Sequence, residues 1–218
     1  VARVHPVDSE FLEGLWRQGA VREVTGKGLV LSCKGASSGD RMSMPRLPDL
    51  SEGGGFTIEM WARFESLSSG QVVLDSRDED GRGILVRTTE HETVELVMND
   101  GGRQDSWDCD PGSLEAGTWN HLVFIVDGAA RVVSVAVNGR LCDGGPHRKR
   151  GWLRFDRELG DVTGGDRLEV APSLDGSLKV LRVYDRYLRT SEAVANYNAS
   201  AGSYEGRHPT GIASSGGK

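Results

Sequence analysis

The chain predicts an all-β fold, a two-sheet antiparallel sandwich closed by one short C-terminal helix. Three observations carry this. About a dozen short apolar or β-branched stretches follow one another, with turn signals at near-regular spacing. The stretch 119–126 is mainly apolar on both faces, as a strand in the middle of a sandwich is. Glycine makes up 30 of the 218 residues, about twice the usual ~7 %. With no collagen period and no low-complexity run, that excess goes into tight turns. No repeat with a period of about 20–50 residues is present, which removes propellers and solenoids. A chain of this length commonly makes one sandwich domain, and it buries enough core to need no staples.

Residues 1–27 have weak periodicity. Phe11, Leu12, Leu15 and Trp16 are spaced as on a helix, but Gly14 and Gly19 interrupt them, so this part reads as an N-terminal arm packing on the sandwich. Residues 28–199 form the sandwich, and 200–218 read as a flexible tail. Within the sandwich, Leu29–Cys33 is a strand and Arg41–Pro45 a short one. Pro45 and Pro48 hold a loop, because proline is poorly tolerated inside a sheet. Phe56–Phe64 alternates cleanly, with Phe56, Ile58, Met60, Ala62 and Phe64 on one face and Thr57, Glu59, Trp61 and Arg63 on the other. Two hairpins follow, turning at Asp80-Gly81 and at Asp100-Gly101-Gly102.

Residues 117–145 are the organising meander. Leu122, Phe124 and Val126 share one face of its first strand, and His121, Val123 and Ile125 the other. The strand that follows, VVSVAV, is β-branched. Asn138-Gly139 suits a type I′ turn, which needs φ > 0 at both central positions. Trp152–Phe155, Arg167–Ala171 and Ser177–Tyr184 complete the strands. Thr190 or Ser191 caps a short helix that runs to about Tyr197.

The net charge of -6 argues against nucleic acid, which wants a basic stripe. No run of ~18 apolar residues exists, so no membrane span is expected. The three cysteines, Cys33, Cys109 and Cys142, lack any C-x-x-C spacing, which speaks against zinc. Cys109 and Cys142 both sit at strand ends before turns. Either these two pair as a disulfide in an oxidising compartment, or all three are buried thiols packing as small hydrophobes.

The pattern G-x-W-x-H, apolar run, D-G, strand, N-G over 117–139 resembles the laminin-G-like jelly roll of the concanavalin A-like lectin/glucanase superfamily. Three further stretches fit in the expected order. These are GDRMSMP at 39–45, FTIEMWARF at 56–64 and GSLKVLRVYDRYLRTSEAVANY at 176–197. The resemblance implies a jelly-roll β-sandwich over roughly residues 28–199. It speaks to fold more than to function, since this fold hosts lectins, enzymes and adhesion modules. Many such sandwiches hold a structural calcium between an early loop and the closing strand. Asp40 stands where the early carboxylate would be, and is either that ligand or a turn residue. Lys179 and Val180 replace the Asp-Glu of the closing strand.

Enzymes on this fold use Glu-x-Asp-x-x-Glu, and this chain has no Glu-x-Asp. Glu92 and Glu95 would face opposite sides of a strand. Glu59 and Glu65 share a face but lie about 20 Å apart along it, beyond the roughly 5–9.5 Å that glycoside hydrolysis needs. Gly35–Gly39 matches G-x-S-x-G, yet no helix follows, so it reads as a turn of small residues. Ser76–Gly81 resembles a calcium loop without its first Asp and with Arg87 at the twelfth position. Trp107 and Trp152 remain, each beside a charged or Gly-rich loop. A ring that stacks on a sugar, with polar side chains for its hydroxyls, is how proteins grip carbohydrate. The predicted site is therefore Trp107 and Trp152, with Asp105, Arg103 and Arg150 as polar partners.

The resemblance and the missing carboxylates together imply a non-catalytic, lectin-like carbohydrate-binding module for a polysaccharide or oligosaccharide. Its expected setting is secreted or periplasmic, alongside other domains of a larger polysaccharide-degrading enzyme. A structural or protein-interaction jelly roll is the alternative, and a glycoside hydrolase or lyase with carboxylates on different strands is the third reading.

Overall fold

The computed structural model describes residues 46–165 and 167–204, and before them the backbone of four strands. Two antiparallel sheets face each other. The larger has the order β12 (Arg140–Leu141), β11 (Val132–Val137), β10 (Trp119–Asp127), β5 (Gly55–Phe64), β15 (Gly176–Tyr184), β3 (Gly28–Cys33) and β2 (Glu23–Thr25). In addition β1 (Val4–Pro6) pairs with β15, and β13 (Trp152–Arg154) pairs with β11. The smaller sheet has the order β4 (Asp40–Ser43), β14 (Arg167–Val170), β6 (Val72–Asp75), β7 (Gly83–Thr88), β8 (Val94–Asn99) and β9 (Gln104–Asp108). The expected all-β sandwich with one C-terminal helix is what the chain forms. Two pieces of the predicted arm, β1 and β2, are strands of the larger sheet. The helix, α1 (Thr190–Tyr204), outruns the expected end at Tyr197. Of the predicted tail, residues 205–218 lie outside the described residues. No helix among the described residues is long and apolar enough to cross a membrane.

The alternation of each strand decides what is core. Ile58, Met60 and Phe64 of β5, Leu122 and Phe124 of β10, and Val133, Val135 and Val137 of β11 meet Leu74, Ile84, Leu96 and Met98 of the smaller sheet. Removing each such side chain from water contributes on the order of 1.5–3 kcal/mol before entropy is counted. The opposite face of β10 is buried too. Val123 and Ile125 pack with Ala136 against Ala193 of α1. The prediction that this strand is covered on both sides therefore holds, and the second cover is the helix. Asn138 and Gly139 both have positive φ, 49° and 74°, as the type I′ turn requires. At Gly139 there is a second demand: a Cβ would lie 2.4 Å from the Tyr197 ring.

The closing strand β15 breaks its own alternation. Leu178 faces the core, and so do Leu181 and Val183. The register slips between Lys179 and Leu181, where Val180 is forced to a φ of 48°, a costly conformation for a β-branched residue. This bulge moves the strand's facing by one residue. Arg182 and Tyr184 consequently turn outward, with Arg182 directly opposite Glu59 of β5.

Arg189 flanks the start of helix α1 as its N-cap position. Glu192 reaches back to accept the Arg189 backbone N–H at 2.8 Å, and it takes two bonds from Arg186 at 2.9 and 2.8 Å. This is the reciprocal half of a capping box, so the cap is Glu192 rather than the expected Thr190 or Ser191. The bond from Arg186, with the Arg189 N–H, holds the Glu192 carboxyl down at about 2.

Candidate functional site

Beneath α1 lies a polar cluster that the sequence alone did not reveal. Glu59 is fully buried. Its Oε1 accepts from His121 Nε2 at 3.1 Å and Arg182 Nη1 at 2.8 Å. Its Oε2 accepts from the Tyr184 hydroxyl at 2.6 Å and Asn196 Nδ2 at 2.9 Å. Burial pushes the Glu59 carboxyl up, but the His121 and Tyr184 bonds and the Arg182 charge outweigh it and hold the group below its ordinary value. The Tyr184 hydroxyl is pushed up by burial and by the same carboxylate. Trp61 stacks on Tyr197 at 5.8 Å, and its Nε1 donates to Ser200 Oγ at 3.2 Å. With four donors on one carboxylate and a helix over it, the Glu59 oxygens are not free to meet a substrate. A carboxyl held ionised is also the wrong state for a general acid. This cluster fastens the helix.

The predicted site residues divide into three groups. Trp107 of β9 lies half-buried with its ring against the core. The Arg148 guanidinium sits 4.3 Å above that ring. Trp152 of β13 instead pairs opposite Ser134, on the outer face, and is 38 % exposed, with Arg150 over its ring at 4.8 Å. Its neighbour Leu153 packs on the core, as Trp107 does. The two rings thus sit on different faces and do not line one shared site. Arg103 and Asp105 serve another purpose. Arg103 is ion-paired with Glu158 and lies 3.6 Å from Asp156, while Asp105 accepts the Asp156 N–H at 2.9 Å. Both hold the loop at 156–158.

Around Trp107 there is a cleft of about 610 Å³ lined by His91, Ser106, Trp107, Asp108, Pro111, His147 and Arg148. One side is the end of β9 and the other is the loop after β12. Arg148 clips the two together. Its Nη1 donates to Asp108 Oδ1 at 2.7 Å, and its Nη2 donates to the Cys109 carbonyl at 2.9 Å. Asp110 accepts the Asp143 and Gly144 N–H groups at 2.9 and 3.1 Å. The far side of Asp108 takes the Thr93 hydroxyl at 2.6 Å. The cleft therefore has rigid walls, a half-buried aromatic ring, and both acceptors and donors at its rim. His91, Asp108, His147 and Arg148 were absent from the predicted site. The signal for His147 and Arg148 was the HRKR run at 147–150, a basic loop that suits either solvent or a sulfated or uronic polysaccharide, and spacing cannot tell which of its side chains folds back.

Cys109 and Cys142 lie under this clip, both buried and both free thiols. Burial raises both thiols, Cys142 to about 12. Asp40 has its backbone in β4 opposite Val170, and its side chain lies outside the described residues, as does the G-x-S-x-G turn. Among the described residues no three His, Cys, Asp or Glu side chains come together so as to hold a metal ion. The Ser76–Gly81 stretch is a self-capped turn. Asp78 Oδ1 accepts from the Asp80 and Arg82 N–H groups at 3.1 and 2.9 Å, and Asp75 is ion-paired with Arg77 at 2.7 Å.

A family model described as the concanavalin A-like lectin/glucanases superfamily (Laminin_G_3) matches residues 36–195. No curated protein matches the chain by sequence. Among solved structures, the Ruminococcus gnavus IT-sialidase CBM40 bound to alpha2,3 sialyllactose is 17 % identical. The match covers 72 % of this chain and 98 % of that one, with a TM-score of 0.53. The same CBM40 bound to alpha2,6 sialyllactose matches at 18 % identity, over 72 % of this chain and 97 % of that one, with a TM-score of 0.51. The binding domain of botulinum neurotoxin serotype D matches at 13 % identity, over 91 % of this chain and 47 % of that one, with a TM-score of 0.58. At such identities the likeness is one of fold.

Proposed function

The chain belongs to the concanavalin A-like lectin/glucanases superfamily, and from that premise we propose that it is a non-catalytic, lectin-like module that binds an oligosaccharide in the Trp107 cleft. The observation that carries this is the half-buried Trp107 ring in a rigid-walled cleft rimmed by Ser106, Asp108, His91, His147 and Arg148. With the core on one side of the ring and Arg148 over the other, it is the indole edge, beside fixed hydrogen-bonding groups, that meets the sugar, whose CH groups are apolar and whose hydroxyls are not. The carboxylates nearby are spent on structure: Asp108 and Asp110 both pair with Arg148. That supports binding without hydrolysis. The CBM40 neighbour, bound to sialyllactose, is in keeping with the same reading, and a place in a secreted glycan-degrading system is proposed with it.

The test is retention of the whole chain in gels cast with a panel of neutral and acidic glycans, together with reducing-end release from the same panel. Binding without release is expected. Trp107→Phe keeps an aromatic filler but shortens the edge turned to the cleft, and Arg148→Ala opens the clip. Each should weaken binding by roughly 1–3 kcal/mol. Release of reducing ends by the wild type, or unchanged affinity in both variants, would overturn the proposal.

A further inference from the structure

The edge of the larger sheet carries charge that the rest of the molecule leaves unanswered. On β11, Val133, Val135 and Val137 face the core, so Val132, Ser134 and Ala136 face out, and so do their partners. Those partners are Arg154, Trp152 and Leu141, in that order. They form a row with steps of roughly 6.6 Å, two residues of strand rise. Trp152 and Leu141 are exposed, at 38 % and 47 %. Arg150 leans over the Trp152 ring, and Lys149 stands beside it in sequence, exposed. Arg131 and Arg140 close the two ends of the β11 edge, Arg140 opposite core-facing Val137 and so on the other face from the row. Among the described residues none of these five cations makes an ion pair. Four acids close to these cations in sequence have other partners. Asp143 caps the Gly145 N–H, Asp127 takes that of Ala130, and Asp156 and Glu158 hold Arg103. A chain with net charge -6 that leaves these cations unpaired along one sheet edge, with Arg150 over an exposed tryptophan and Arg154 two residues along the same row, has a surface complementary to an anion with an apolar face.

We propose that the β11–β13 edge binds an anionic polysaccharide, one carrying carboxylate or sulfate groups, laid across Trp152 with its charges on Arg150, Arg154 and Lys149. The inference rests on the reading of the chain as a glycan-binding module but places acidic chains on a second surface, apart from the Trp107 cleft. Guanidinium groups match carboxylate and sulfate as planar, two-pronged donors. The Trp152 ring supplies the apolar contact that a bare polyanion site lacks. Arg148 belongs to the cleft and its neighbours to the edge, so the single loop at 147–150 serves both surfaces, and the clip that steadies Arg148 also steadies Lys149 and Arg150.

The experiment is retention of the full chain in gels containing heparin (the sulfate arm), polygalacturonate (the carboxylate arm) or neutral dextran, at low and raised salt, with a DNA duplex as competitor. Retention should be confined to one or both acidic glycans and should fall with salt. The double variant Arg150→Glu/Arg154→Glu should weaken it at least about tenfold. Trp152→Ala should weaken it severalfold, and both variants should keep the wild-type melting temperature. Equal retention by dextran, or charge reversal without effect, overturns the edge site. Displacement by DNA as readily as by free glycan overturns it as well, because the surface would then be a plain polyanion sink. If neutral glycan is retained and lost in Trp107→Phe while the edge variants behave as wild type, the cleft stands and the edge inference falls. If the wild type retains no glycan at all, both fall.

Discussion

The helix-covered face and the β11–β13 edge belong to the same sheet and follow the same two-residue alternation, yet they treat charge in opposite ways. Under α1, the Glu59 carboxylate is met by four donors from β10, β15 and the helix. At the edge, Arg131, Arg140, Lys149, Arg150 and Arg154 are met by none of the described acids. A buried charge must be answered inside the protein because water cannot reach it. A surface cation can go unanswered at little cost, since water answers it. The difference teaches which groups to assign to structure and which to a ligand. A satisfied, covered cluster holds the fold. A gathered set of unsatisfied cations on an otherwise acidic chain has no structural task left to explain it.

The comparison can be broken by mutation, and the largest effect should fall on the covered face. Glu59→Ala leaves the Tyr184, His121 and Asn196 donors buried without an acceptor. Breaking a buried pair from one side costs about 3–5 kcal/mol. The Arg182 side chain is 34 % exposed and so partly solvated, which puts the expected loss near about 3 kcal/mol, read from urea unfolding. Glycan retention per folded molecule should not change. If retention changed as much as stability, the division into structural face and binding edge would be lost.

Acid should single out the same carboxylate. Its folded value lies below the ordinary 4.5, so the stability it contributes is fully present above pH 4.5. That contribution is lost as the pH falls below 4.5 and through the lower folded value. Unfolding midpoints of the wild type should therefore drop more steeply in that acid range than those of Glu59→Gln, and the two curves should run parallel near neutral pH. Parallel curves all the way down would mean that the carboxylate is not held as described.

A smaller effect is expected where the helix meets the indole. Ser200→Ala takes away the acceptor of Trp61 Nε1, at a cost of about 1 kcal/mol, measured as a shift in the urea midpoint at constant slope. The smallest belongs to the edge. Trp152→Ala should stay within about 0.5 kcal/mol of wild type, while changing retention by acidic glycan. A large loss of stability there would make Trp152 a packing residue and remove the contrast.

What the sequence made legible follows the same division. The alternation of Phe56 to Phe64 named the core face of β5 residue by residue. The apolar pattern of 119–126 announced two buried faces before either cover was known. Asn138-Gly139 specified its own turn. What could not be read were meetings that depend on how far a loop folds back. Trp107 and Trp152 looked alike, each a tryptophan near a charged loop. The register of β13 against β11 turned one outward, and the return of Arg148 covered the other. Glu59 looked like one exposed-face carboxylate among several, because its partners Arg182 and Tyr184 sit on the apparent core parity of a strand that reads Leu178, Val180, Arg182. Only the slip at Val180 sends them outward.

That slip has a consequence for how the chain tolerates change. A strand is written in a frame of two, and β15 is written in one frame up to Lys179 and in the other from Leu181 onward. Val180 is the single letter between them. Substitutions there alter the cost of the backbone. Deleting Val180 would leave Lys179 opposite Trp61 and Leu181 opposite Met60 and so keep both frames in phase. Straightening the strand with Val180 kept would be the frameshift: Arg182 and Tyr184 would swing into the apolar layer, Leu181 and Val183 would face the helix, and Glu59 would lose two donors at once. One strained residue thus sets the phase for everything that follows it, including which side of the sheet the helix is able to fasten to.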